Sequence, residues 1–340
     1  MKNQRLANRN EIQQGPAPEC LKAIQDLEME DLDPHKQGYH SSLVRPVLAE
    51  KYDLPEAQIA ISYGDEVFFR TIFDQLQPNR DKVLTNELHF KYYDSYLAVK
   101  KIEQHEFELT DVGNEFRFDL EDCLEKCKLL QPSILLITSP NNPTGNSLTH
   151  EDLEYLLLNV SGDCLVIIDE AYWGFDSKYD DEKAIQLLTK FPQLIFIRTF
   201  SKLYALAGLR LGFAFMGTYA KEKLGCVPPY LGMSVVLEKP AVAALRAEKY
   251  YENLRQEIIA DRENFIQKTN GLKHFTAYNS EANFVAVKVA QRVWEKLNQA
   301  LENESVLISK VVREGLLRVT IRDKYLTNGF LQVLHRLEDF

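Results

Sequence analysis

The chain has no apolar run long enough to cross a bilayer, which excludes a helical membrane protein. It also lacks an excess of positive charge. Its 40 Lys and Arg stand against 50 Asp and Glu, a net charge of −10, so neither a nucleic-acid nor a membrane partner is expected. Cysteine is sparse and odd in number, at positions 20, 123, 127, 164 and 226. Cys123 and Cys127 lie one helical turn apart, but no second Cys/His pair stands at zinc-ligand spacing. No metal site is therefore expected, and the thiols read as reduced and cytoplasmic. The basic N-terminal residues are followed by no apolar core, so no secretory signal is expected. There is no internal repeat and no low-complexity stretch. What remains is a composition of 45% hydrophobic and 26% charged residues over 340 positions, that of a soluble globular protein with room for two domains.

Between about residues 40 and 216, apolar strand patterns alternate with helical ones. Gln58–Ser62, Asp81–Thr85, Ser133–Thr138, Cys164–Ile168 and Leu194–Thr199 read as buried strands. Asp65–Leu76, Phe90–Lys101, Leu120–Leu130, Thr149–Leu158 and Asp181–Phe191 read as the helices between them. Strands apolar on both faces and separated by helices predict an α/β fold with a mainly parallel, helix-covered sheet. The link from Phe200 to Arg210 is too short for a helical crossover, so the strand Leu211–Phe215 should run antiparallel to its predecessor. One long helix is expected from near Pro240 to Thr269, since proline is tolerated at a helix start. Strands over Asn283–Val289, Val306–Val312 and Leu316–Arg322, with helices near Arg292–Leu301 and Leu326–Leu337, complete a smaller α+β unit. The expected division is 1–39, 40–225 for the large domain, and 226–340 for the small one.

Five segments carry chemistry, most of them at strand ends, where open α/β sheets place their sites. Arg198–Gly212 sets Lys202 between two apolar strands, with Thr199, Ser201 and Arg210 nearby. It is an ordinary turn whose lysine reaches solvent, or a nucleophilic amine beside hydroxyl and guanidinium donors suited to a phosphate. Ser139–Gly145 is a turn, or presents amides such as that of Asn142. In Asp169–Tyr172, a carboxylate can hold a pyridinium N–H and a phenol can donate to a ring oxygen. Gly64 and Asp65 open a helix whose free amides could receive a phosphate, or Asp65 is only a cap. Arg318 clamps a carboxylate, or is an ion-pair partner. Together these groups ask for a ligand with a phosphate, an aldehyde, a ring nitrogen and a ring hydroxyl. Pyridoxal phosphate has all four.

In these motifs the chain resembles the class I/II aminotransferases of fold type I, and among them the histidinol-phosphate aminotransferase family. Asn10-Glu11 with Gly15-Pro-Ala-Pro18 is similar to the family's N-terminal arm, and the segments at 64–66, 139–145, 169–172, 199–212 and 316–321 occur in family order. The resemblance implies an arm, residues 1–39, associated with the small domain. It implies a pyridoxal-phosphate-dependent transaminase acting on an amino acid/2-oxo acid pair in amino-acid biosynthesis. Lys202 would be the Schiff-base lysine and general base. Asp169 would hold the ring nitrogen, and Asn142 and Tyr172 the ring hydroxyl. Thr199, Ser201, Arg210 and the Gly64–Asp65 amides would hold the phosphate. Arg318, with Asn142, would bind the substrate. Phe90 stands where the family has a ring-stacking tyrosine, and Tyr39 where a tyrosine reaches the partner subunit's phosphate, which implies a homodimer.

Three departures bear on substrate. Ile12 follows Glu11, the chain is somewhat short for the family, and Arg322 stands near where the family has a small residue, where it binds a second anion or faces solvent. A related lyase, such as threonine-phosphate decarboxylase or a carbon–sulfur lyase, is the alternative reaction. A non-catalytic sensor is the third reading, against which every cofactor position is filled.

Overall fold

Runs such as Ile-Leu-Leu-Ile-Thr and Leu-Val-Ile-Ile-Asp are buried along their whole length, and they form the middle of a seven-stranded sheet. The computed structural model describes residues 5–33, 38–225, 229–304, 306–310, 315–321 and 324–338. Cys226, Arg322 and the expected strand end at 311–312 lie outside these. The large sheet contains β2 (Ile59–Ser62), β3 (Lys82–Asn86), β4 (Glu103–Phe107), β7 (Ile134–Thr138), β8 (Leu165–Asp169), β9 (Leu194–Thr199) and β10 (Gly212–Met216). Its order is β2-β10-β9-β8-β7-β3-β4, and only β10 runs against the others. The hairpin β5 (Leu109–Val112) and β6 (Glu115–Phe118) pairs separately. A second sheet, mostly antiparallel, contains β1 (Arg5–Ala7), β11 (Phe275–Ala277), β12 (Phe284–Val289), β13 (Val306–Lys310) and β14 (Leu316–Thr320) in the order β1-β13-β14-β12-β11.

Alternate residues of the central strands feed two cores, as a period of two requires. Leu135, Ile137, Val166, Ile168 and Phe196 join one; Ile134, Leu136, Leu165, Ile167 and Ile195 join the other. The first core continues into the small sheet through Phe284, Val287, Leu317 and Val319. The flanking helices begin where the sequence supplies caps. Asp119 accepts from the Asp122 amide, Thr149 and Asp152 form a reciprocal capping box, and Asp180 accepts from the amides of Glu182 and Lys183.

The expected antiparallel turn is present, with Gly212 opposite both Thr199 and Ser62. The single helix expected from Pro240 is instead two, Val235–Arg246 and Glu248–Asn270, and Pro240 is the sixth residue of the first. The helix starts earlier because the Ser234 carbonyl accepts from Leu237 and Glu238. Buried Glu238 in turn accepts from the Ser42 hydroxyl and the Leu43 and Val44 amides. The chain leaves helical geometry at Ala247 (ψ 44°). Among the described residues, no helix is long and apolar enough to cross a membrane.

Candidate active site

The C-terminal ends of the parallel strands meet the start of β10, and the site is built around that junction. Thr199 ends β9 and Asp169 ends β8. Gly212 packs so closely on the helix Asp65–Asp74 that an added Cβ would lie 2.6 Å from the Asp65 nitrogen. Gly64, at φ +95°, precedes that helix, and the Arg210 guanidinium lies against it, 2.9 Å from where a Cβ would stand. The Thr199 hydroxyl donates to Ser201 Oγ (2.9 Å) and, at 3.4 Å, approaches Asp65. Hydroxyls, a guanidinium and a helix N-terminus therefore lie together, which is the donor set an anion requires. Burial pushes the Asp65 carboxyl up, and Lys202 and Arg210 oppose that rise.

Asp169 is buried, with its Oδ1 accepting from the Ala171 amide at 3.0 Å and its Oδ2 accepting from the Tyr93 hydroxyl. Burial and then the neighbouring Asp65 raise its pKa to about 7. The Tyr93 hydroxyl and the Ala171 amide pull the other way. A buried carboxylate without a cation beside it is costly, so this position is suited to a protonated ring nitrogen. Next to it, Glu170 is paired with the fully buried Arg198 (2.6 Å), which also reaches Asp181, Tyr52 and Tyr179.

Arg318, Asn142 and Tyr172 form one connected group. Arg318 Nη1 donates to Asn142 Oδ1 (2.6 Å), and Asn142 Nδ2 donates to the Tyr172 oxygen (3.2 Å). Arg318 Nη2 donates to the Asn8 carbonyl and to Ser309 Oγ, whereas its buried Nε has no hydrogen-bond partner among the described residues. Lys202 is half-buried; its Nζ lies 5.7 Å from the centre of the Tyr172 ring and donates to the Arg9 carbonyl at 3.1 Å. Phe90 is exposed and lies edge-on to Tyr93. Tyr39 stands apart from the group, 64% exposed, with its ring 4.7 Å from that of Tyr230.

Two participants fall outside the sequence expectations for these contacts. Tyr93 belongs to the buried face of the helix Tyr92–Lys100, and a phenol on such a face needs a polar partner, which is the signal that could have marked it. Asn10 enters the sequence reading only as part of a motif. Its contacts run to residues as much as 310 positions away, and no local pattern reports those.

Residues 7–330 match the family model for aminotransferases of class I and II. A histidinol-phosphate aminotransferase of Staphylococcus epidermidis is 31% identical over 330 residues, covering 97% of this chain and 90% of that protein. Among solved structures, a histidinol-phosphate aminotransferase from Sinorhizobium meliloti in complex with pyridoxal-5'-phosphate superposes with a TM-score of 0.84 at 21% identity, covering 98% of this chain and 90% of that one. An L-threonine-O-3-phosphate decarboxylase from Porphyromonas gingivalis gives 0.79 at 17% identity, covering 99% and 100%. At these identities the structural likenesses establish the fold.

Proposed function

We propose, for a chain that belongs to the class I and II aminotransferases and is a pyridoxal-phosphate-dependent transaminase of fold type I, that it moves an amino group between an amino acid and a 2-oxo acid with Lys202 as its working base. Histidinol phosphate is the first amino donor to test, because the curated relatives bear that name. The observation that carries the reading is the hydrogen-bonded set Arg318–Asn142–Tyr172 beside the Lys202 amine.

When bound, the cofactor supplies an aldehyde that links to amines and a ring that accepts electrons. The residues fit it. Thr199, Ser201, Arg210 and the Gly64–Asp65 amides would hold its phosphate, and Phe90 would pack on its ring. Asp169 would hold the ring nitrogen, and Asn142 and Tyr172 would hold the ring oxygen. Lys202 would hold the cofactor's aldehyde carbon, and as a free amine would serve as the base for the proton on the substrate's α-carbon. Arg318 orients the substrate carboxylate so that the α C–H bond, rather than the bond to the carboxylate, is the one presented for cleavage.

The proposal extends to organisation. An arm (1–39), a large cofactor-binding domain (40–225) and a small domain (226–340) are supported by the two separate sheets and by the pairing of β1 with β13. Exposed Tyr39 is consistent with a homodimer in which it serves the partner subunit's phosphate site. Among the described residues, the four cysteines are free and buried, which suits the cytoplasm.

The test is a screen of amino compounds, phosphorylated ones included, against the spectrum of the bound cofactor. Stable conversion to the cofactor's amine form, reversed by a 2-oxo acid, is expected. Carbon dioxide release without that half-reaction would move the assignment to a decarboxylase.

A further inference from the structure

Asn10 is 1% exposed and held in the left-handed region at φ 53°, a conformation asparagine tolerates better than most residues. Its backbone N–H donates to Thr320 Oγ1 (3.2 Å), and Thr320 Oγ1 donates to Asn10 Oδ1 (2.8 Å). Its carbonyl accepts from Asn283 Nδ2 (3.0 Å). The threonine proton therefore fixes which end of the Asn10 amide is oxygen. The nitrogen end is left facing Tyr172, and Nδ2 donates to the phenol oxygen at 3.0 Å.

On the other side, the orientation of Asn142 is fixed by charge. Arg318 is only a donor, so Asn142 must turn Oδ1 toward it and Nδ2 toward Tyr172. The Tyr172 oxygen thus receives two N–H donors, one from the N-terminal arm and one from the loop after β7. Both of its lone pairs are used, and its own proton must go to an acceptor other than these two amides.

We propose that Asn10 is a positioning residue of the active site: by filling the second lone pair of the Tyr172 hydroxyl, it aims that hydroxyl's proton at the ring oxygen of the bound cofactor. The proposal rests on the aminotransferase reading above and adds to it a function for the arm. Asn10 touches neither substrate nor cofactor; it acts through Tyr172.

Two substitutions test it, both measured with cofactor in excess. Asn10→Gly keeps the left-handed backbone without strain and removes both side-chain bonds. Asn10→Asp keeps an acceptor for Thr320 but offers Tyr172 a carboxylate oxygen, which draws the phenol proton away from the site. A ring oxygen that loses its donor holds the proton on the neighbouring lysine link more tightly. The pH midpoint of the bound cofactor's visible spectral change should therefore rise in both variants, by about one unit or more in Asn10→Asp. Adding Asn10→Gly to Tyr172→Phe should move the midpoint no further than Tyr172→Phe alone, because the effect passes through the phenol.

A purely structural role predicts something else: faster tryptic cleavage after Arg9 and a lower melting temperature of the cofactor-free protein, with the midpoint unmoved. That result, in whichever of the two variants folds, overturns the proposal. Failure of the underlying reading is distinguishable, since the unmodified protein would then show no pH-dependent cofactor band attached at Lys202.

Discussion

Replacing Asp169 by asparagine in the cofactor-free protein should change how stability depends on pH. Asp169 titrates at about 7 in the folded protein, raised by burial and by Asp65, whereas an unfolded aspartate titrates at about 3.9. Below pH 4 the group is protonated in both states and contributes nothing to the difference. Between about 4 and 7 the folded protein retains a proton that the unfolded chain has released, so stability falls as pH rises. Above 7 the full penalty of the buried charge is present. Three pH units at about 1.4 kcal/mol each make that penalty about 4 kcal/mol. The substituted amide cannot ionise, so the Asp169→Asn variant should gain on the parent by about this amount between pH 4 and pH 8. The single amide oxygen cannot serve both Tyr93 and Ala171 as the carboxylate does, which costs about 1 kcal/mol at every pH. That offset is flat, so the slope isolates the charge. Urea unfolding of both proteins at several pH values measures it. A stability difference that stays constant from pH 4 to 8 would refute the reasoning and return Asp169 to an ordinary carboxylate value. Turnover by the loaded variant should be largely lost, because an asparagine there cannot hold the ring nitrogen protonated.

Borohydride reduction of the loaded protein followed by peptide mapping should find the cofactor on Lys202; attachment to another lysine would remove Lys202 from its assigned role. Arg318→Lys keeps a positive charge but loses the fork that reaches Asn142 and Asn8, so kcat/KM for the amino acid should fall about 10²-fold or more with the cofactor spectrum retained. An unchanged kcat/KM would place the substrate carboxylate elsewhere. Gly212→Ala forces a methyl against the Asp65 backbone and should cost about 1–3 kcal/mol in urea unfolding while weakening cofactor binding. Parental stability and affinity in that variant would show that the junction of β10 with the helix Asp65–Asp74 has slack.

The parts of the fold legible in the sequence were those specified by neighbours in the chain. The strands β7, β8 and β9 are doubly apolar, and their expected limits lie within one residue of those observed. The reversal of β10 followed from a link too short to cross over. Lys202, Asp169 and Asn142 stand where strand ends or short loops place them, and Arg318 lies mid-strand in β14. Features that depend on distant partners were not legible. The pairing of Arg5–Ala7 with Val306–Ile308 has no local signature, and neither does the burial of Arg198 against Glu170 and Asp181. Pro240 misleads because the first-turn preference does not apply to a residue whose helix begins five positions earlier, stabilised by bonds from Glu238 to another helix.

The contact between Asn10 and Thr320 has a consequence for biosynthesis. Asn10 is synthesised some three hundred residues before Thr320, whose hydroxyl donates to its Oδ1. Closing a loop of some three hundred residues costs about 2 kcal/mol more than closing one a tenth as long, and that cost is met only when the final strands exist to receive the arm. Asp169 and Lys202 can take up their places earlier, on a sheet completed by residue 216. A chain released before β14 would therefore carry Lys202 and Asp169 but have no Thr320 to hold the Asn10 amide, so premature termination would leave that contact unmade.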